Sequence, residues 1–185
     1  MERAIPKTSS KTNPGVKSEA RSRLRAGDWL GAGLAALETA GPTALAAEPL
    51  ARKLGTTKGS FYWHFQDVPS FRTAVAAAWA ARARAALDTL PADLPHTDRL
   101  LRLSHPDPAE ASMRAWARQA PAVATIVATV DADRRRALSA TLAELGLTNP
   151  EFAQIVQAAV IGMETLGDTA PLTTLLAAIL ALQEA

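Results

Sequence analysis

Cysteine is absent from the 185 residues, tyrosine occurs once and histidine three times. No disulfide, thiolate metal site or cysteine nucleophile is possible, which fits a reducing compartment. No apolar run is long enough to span a bilayer. The first residues carry Arg3, Lys7, Lys11 and Lys17 without the apolar stretch a secretory signal needs. A soluble, cytoplasmic protein with no membrane association is therefore expected. β-Branched residues are sparse and scattered while alanine and leucine dominate, so helix is favoured over sheet. No internal repeat is found, and nothing calls for a cofactor.

The net charge is only +2, but it is unevenly placed. Residues 1–66 hold ten Lys/Arg against five Asp/Glu, whereas residues 67–185 hold ten against thirteen. A basic N-terminal part and an acidic remainder are expected when one end meets phosphate, because phosphate neutralisation supplies most nonspecific affinity for nucleic acid.

The basic part contains Leu50-Ala51-Arg52-Lys53-Leu54-Gly55-Thr56-Thr57-Lys58-Gly59-Ser60-Phe61-Tyr62-Trp63-His64-Phe65. Leu50, Ala51 and Leu54 lie at helical spacing, and Gly55 stands where a left-handed residue would end the helix. Thr57 is placed to cap a second short helix, and Phe61 and Phe65, four apart, would face the first. Lys58, Gly59, Tyr62, Trp63 and His64 are left pointing largely elsewhere. Such groups suit phosphate oxygens and base edges in a major groove. The pattern is a helix-turn-helix over about Ala46 to Phe65.

The region from about Trp29 to Trp79 resembles the DNA-binding domain of the TetR family of bacterial transcriptional regulators. Its most specific part is Lys58-Gly59-Ser60-Phe61-Tyr62-Trp63-His64-Phe65, similar to the family's third helix. Upstream, Trp29 to Leu37 followed by Gly41-Pro42 resembles the family's first helix and the turn that ends it. The resemblance implies an all-α homodimer of about nine helices: a three-helix DNA-binding domain, then a helical ligand-binding and dimerisation domain. It would release a near-palindromic operator when a small molecule binds. Carried over by position, Tyr62 and His64 would contact phosphate, and Lys58 and Trp63 would meet base edges or a thymine methyl. Thr57 caps, while Gly59 and Ser60 would allow close approach. Two positions depart from the family pattern. Ala46 stands where Ser or Thr usually caps the second helix and touches phosphate, and Val68 replaces a lysine that commonly follows the His-Phe pair. Pro49 is compatible only with a helix that has barely begun. These changes predict weaker or more salt-sensitive backbone contact with the same base readout.

Along the chain, residues 1–17 read as a basic, disordered tail, 18–66 as the DNA-binding domain and 67–185 as the body. A helix is expected from about Ser18 to Thr39, with Arg21, Arg23 and Arg25 near its start. A long helix from about Val68 to Leu87 carries Phe71, Val75, Ala78, Trp79 and Arg82 on one stripe and could act as a lever between head and body. After a break at Leu90 to His96, helices are expected over about 97–103, 108–120, 121–145, 150–166 and 171–183. Prolines stand at the heads of the last four, and Gly146 and Gly167 stand just past two ends. The helices at 150–166 and 171–183 are so apolar that they need a partner, and by the resemblance they form the homodimer interface.

The effector pocket would lie inside the body, and Trp79, Met113, Trp116, Val123, Val127, Gln157, Ile161 and Glu164 are candidates by type and position. Apolar and aromatic lining of that kind suits an apolar or aromatic small molecule. Two other functional classes stand beside this one. An enzyme would have to use His96, Asp98, His105 and Asp107, which lie in or beside Pro-rich connections without the i, i+4 spacing of a helical metal pair. No catalytic or metal site is expected from them. A ligand-binding and dimerisation module with a weakened DNA-binding head is the remaining alternative, supported by Ala46 and Val68.

Overall fold

The computed structural model describes residues 24–105 and 107–181. They form nine α-helices: α1 (Ala26–Ala40), α2 (Ala47–Lys53), α3 (Lys58–Tyr62), α4 (Val68–Asp88), α5 (His96–Leu103), α6 (Glu110–Ala117), α7 (Pro121–Glu144), α8 (Glu151–Leu166) and α9 (Leu172–Ala181). A 3-10 turn, Pro42–Ala44, follows α1. No strand occurs among the described residues, and the all-α expectation holds.

Local chemistry accounts for most helix ends. Gly55 takes φ +64°, and its N–H donates to the Arg52 carbonyl while that of Thr56 donates to Ala51, closing α2 in a double-bonded glycine stop. Gly146 and Gly167 end α7 and α8 with the same left-handed backbone. Asp67 caps α4 by accepting from the Ser70 N–H at 2.7 Å. Hydrogen bonding from the Ser70 backbone, and then from its side chain, holds the exposed Asp67 carboxyl below the usual range.

Several expected boundaries move. The first helix begins at Ala26 and not near Ser18, because Arg25 is extended and its N–H donates to Asp28 at 2.6 Å. Asp28 supplies the anion that the start of a helix favours. Residues 18–23, with Arg21 and Arg23, and the tail at 1–17 lie outside the described residues, as do residues 182 and 183 of the last helix. The second helix of the helix-turn-helix ends at Tyr62, so Phe65 lies beyond it. The helix expected over 108–120 is confined to α6, since Pro108 and Ala109 form a turn and the chain leaves the helix again before Pro121.

Two hydrophobic cores organise the molecule. The first joins Trp29 and Leu37 of α1, Leu50 of α2 and Phe61 of α3 to the inner face of α4, then continues through Met113 of α6 to Val123, Val127 and Val130 of α7. Phe61 is fully buried and lies 5.3 Å from the Trp29 ring and 5.1 Å from the Phe71 ring, both near edge-to-face. Phe65, although past the helix, packs 4.9 Å from Phe71. α3 is thus held by aromatic contacts with α1 and α4. The second core gathers Leu100 and Leu103 of α5, Leu138 and Leu142 of α7, and the inner faces of α8 and α9.

The close packing of α1 on α4 gives a first prediction. A Cβ added at Gly33 would lie 2.8 Å from both Phe71 Cζ and Val75 Cγ2, two fully buried side chains. Alanine gains about 1 kcal/mol of helix propensity over glycine, but overpacking a filled core costs about 1–3 kcal/mol. Gly33→Ala is therefore expected to lower stability by up to about 2 kcal/mol, read as a reduced urea midpoint at unchanged slope. An increase would mean that the α1–α4 contact gives way freely.

Candidate nucleic-acid interface and body cavity

α3 presents a short, well-anchored outer face. Thr57 Oγ1 accepts from the Ser60 N–H at 3.3 Å, which is the cap expected from the sequence. Lys58 and Gly59 are exposed, Ser60 is half-buried, Tyr62 is 46% exposed and Trp63 83% exposed. His64 is half-buried and lies beside Phe65, with ring centres 6.4 Å apart. Thr57, Gly59, Ser60, Trp63 and His64, together with Leu24, line one open cleft of about 340 Å³. The structure therefore brings five of the seven sequence-derived positions onto one cleft, with Lys58 and Tyr62 on α3 but outside the cleft's lining. The Trp63 indole stands almost wholly in solvent just past a helix whose opposite side is locked into an aromatic core. At the departures from the family pattern, Ala46 precedes α2 without a side-chain cap, and Val68 packs against the first core.

The eight candidate ligand residues are placed differently. Trp79, Met113, Val123 and Val127 are packed in the first core, with Trp116 against its edge. Gln157 is buried and donates to the carbonyl and the carboxylate of Asp131, both at 3.1 Å. Ile161 and Glu164 are half-buried on α8. Burial, and then the charge of Glu110, push the Glu164 carboxyl above the usual carboxylate range. None of the eight lines the body cavity of about 430 Å³ that opens beside α4, α5 and α7. That cavity has an aliphatic wall including Ala83, Leu87 and Leu103, and polar groups from Arg102, His105, Asp107 and Arg134. It contains no Trp, Phe or Tyr, so the expected aromatic lining is not what the chain builds there. Large apolar side chains on buried stripes pack against each other, leaving space where alanine and a helix connection meet.

Sequence reasoning also missed a connected set of charges. Arg82 of α4 donates to Glu38 of α1 at 2.8 Å and to Asp107 at 2.6 Å. Burial pushes the Arg82 guanidinium down, but its bonds to Asp107 and Glu38 outweigh that and raise it above its ordinary value. The same Asp107 oxygen accepts from Trp79 Nε1 at 3.1 Å and from the Ala109 N–H at 2.8 Å. The Asp107 N–H in turn donates to Glu110, which takes two guanidinium bonds of 2.7 Å from Arg134 and one from Arg114. Arg114 continues to Asp131, which accepts from Gln157. Burial pushes the Arg114 guanidinium down, and its two carboxylate partners more than reverse this. A chain of hydrogen-bonded groups thus links α1, α4, α6, α7 and α8. One signal could have revealed it: Arg82 and Arg134 occupy positions of otherwise buried stripes, after Trp79 and before Leu138 respectively.

The groups weighed for catalysis are dispersed. His96 pairs with Glu144 at 3.1 Å, while Asp107 is committed to Arg82 and Trp79. Among the described residues no cluster of three His, Asp or Glu side chains is arranged to hold a metal ion. No described helix is long and apolar enough to cross a membrane.

The fold is similar to the crystal structure of a transcriptional regulator from Rhodococcus sp. Rha1, with a TM-score of 0.66 and 18% sequence identity, covering 86% of this chain and 94% of that one. No family model matches the chain, and no curated protein matches it either. At this identity the likeness speaks for the fold alone.

Proposed function

We propose that the protein is a ligand-responsive, DNA-binding transcriptional regulator of the TetR type, acting as a homodimeric repressor. The observation that carries the reading is the outer face of α3, where Trp63, Tyr62 and Lys58 stand in solvent on a helix fixed from behind by Phe61. The regulator fold of the Rhodococcus protein and the basic balance of residues 1–66 support it. Lys58, Tyr62 and His64 would engage phosphate and base edges while Gly59 lets the backbone approach. A two-fold dimer would set its two α3 helices about 34 Å apart, matching successive major grooves.

The dimer is assigned to α8 and α9. Ile155, Ala158, Gly162 and Leu166 recur at spacings of three and four along the uncovered side of α8, with Leu166 84% exposed. Such a stripe suits a four-helix interface with a second copy. α4 would serve as the lever, because Phe71 touches α3 while Ala83 and Leu87 border the body cavity.

The test is a fluorescence titration against the duplex upstream of the protein's own gene, across a salt series. Saturable binding with a steep negative dependence on salt is expected, and Tyr62→Ala should abolish it at moderate salt. Lys58→Ala should reduce the slope of log affinity against log salt by about 1 per head. Affinity no greater than for random duplex, with a flat salt response, would leave instead the module with a weakened head, consistent with the uncapped Ala46 and the packed Val68.

A further inference from the structure

The body cavity lies where the two hydrophobic cores meet. Ala83 belongs to the first and Leu103 to the second, and Leu87 and Leu90 are only half-buried beside it. A volume of about 430 Å³ falls in the range of small-molecule sites and far exceeds that of one water. Its polar groups are of two kinds. Asp107 and Arg134 are committed to protein partners, Asp107 to Arg82 and Arg134 to Glu110. Arg102 and His105 are exposed, and their side chains make no hydrogen bond among the described residues. The charge available to a guest is therefore cationic, and the wall beside it is aliphatic.

We infer that this cavity binds a small aliphatic monocarboxylate, whose carboxylate meets Arg102 and His105 and whose chain lies against Ala83, Leu87 and Leu103. The inference deepens the regulator reading and rests on it for its consequence. A guanidinium fits a carboxylate with two parallel N–H bonds, which distinguishes an acid from an alcohol of equal length. A cationic amphiphile would face Arg102 with no uncommitted acid to offset it. The guest also lies against Asp107, whose carboxylate shares Arg82 with Glu38 of α1. A second anion beside Asp107 attracts Arg82 towards that side and away from Glu38, so occupancy and the Arg82–Glu38 link to α1 oppose each other. Since α1 packs on both α3 and α4, the competition bears on how the head is held. Reciprocity then requires that DNA binding weaken carboxylate binding by the same factor.

The probe is octanoate, titrated calorimetrically into the DNA-free protein, with octanol and octylammonium as matched controls. Saturable binding is expected, tenfold or more tighter for octanoate than for octanol. Arg102→Gln, at an exposed position, should weaken octanoate at least tenfold and erase its advantage over octanol, while Leu87→Trp should block both by filling the cavity. Thermal melts confirm that each variant folds. Absence of saturable octanoate binding, equal affinity for acid and alcohol, or an unchanged octanoate affinity in Arg102→Gln overturns the assignment. The regulatory consequence is read separately. Octanoate should weaken operator binding by wild type, and Glu38→Gln should reduce that effect severalfold. If the protein binds octanoate as described but no DNA at all, the repressor reading fails and the ligand assignment stands. If it binds DNA but not octanoate, the reverse holds.

Discussion

Gly162→Arg is expected to convert the protein to a monomer and to remove operator binding together with the dimer. Within one protomer the substitution meets no obstacle, because a Cβ added at Gly162 has no atom within 4 Å. The helix also loses nothing by replacing glycine, a poor helix former, with arginine. The residue lies on the uncovered stripe of α8 between Ile155 and Leu166, both largely exposed. In an interface of two α8 and two α9 helices, that position would bring a guanidinium and its copy close to the two-fold axis. Burying like charges without partners costs several kcal/mol. Since each 1.4 kcal/mol is a factor of ten, the dimer constant should fall by about a hundredfold or more. Light scattering after size exclusion should give twice the chain mass for wild type and one chain mass for the variant. The helical circular dichroism should stay the same. An unchanged assembly mass would place the interface elsewhere, and a monomeric wild type would remove the need for one. The loss of DNA affinity should be large, because a monomer brings only one α3 to two half-sites.

Local patterns carried much of this arrangement into the sequence. Gly55, Thr57 and the Phe61–Phe65 pair specify turn, cap and buried face within a few residues. Their chemistry acts locally, so the turn, the cap and the buried face of the helix-turn-helix were legible. Helix starts were less so. Arg25 belongs outside α1 because Asp28, one turn inside, bonds back to its N–H, and charge composition alone does not reveal which residue turns out of the helix. The body was legible as helices but not as a site. Trp79, Met113, Val123 and Val127 have the composition of a pocket wall and the periodicity of a core, and periodicity won because those stripes face each other across α4, α6 and α7. The cavity depends on what does not fill space: Ala83 and Ala86 on α4, and the connection from α5 to α6. Such voids arise from the angles between helices, which no short stretch of sequence encodes. The charged chain was partly visible, since Arg82 and Arg134 interrupt apolar stripes. Their partners Asp107 and Glu110 come from a distant segment, and only the fold joins them.

Glu110 is the point at which that chain has most to lose. Its side chain is 1% exposed and is held by Arg134, itself 8% exposed, and by Arg114. Glu110→Ala leaves the Arg134 guanidinium buried without a counter-charge, and breaking a buried pair from one side costs about 3–5 kcal/mol. For a chain of this length that corresponds to a fall in melting temperature of about 10 °C. The double change Glu110→Leu with Arg134→Leu should recover at least half of the loss, because it removes the stranded charge and supplies apolar volume to a site bordered by both cores. Arg114 keeps Asp131 as a partner in every variant. Acid provides an independent reading of the same pair. Burial pushes the Glu110 carboxyl up, but Arg134 and then Arg114 outweigh it and hold the group below its ordinary value of 4.5. A carboxyl depressed in the folded state contributes stability that is fully present above the unfolded value and is lost as pH falls through the folded one. Wild type should therefore lose stability progressively below about pH 4.5, and Glu110→Gln should start lower at neutral pH and fall less steeply in that window. Parallel acid curves for wild type and Glu110→Gln would show that the pair contributes nothing to acid sensitivity. A double variant no more stable than Glu110→Ala would show that shape at this junction, and not the stranded guanidinium, sets the cost.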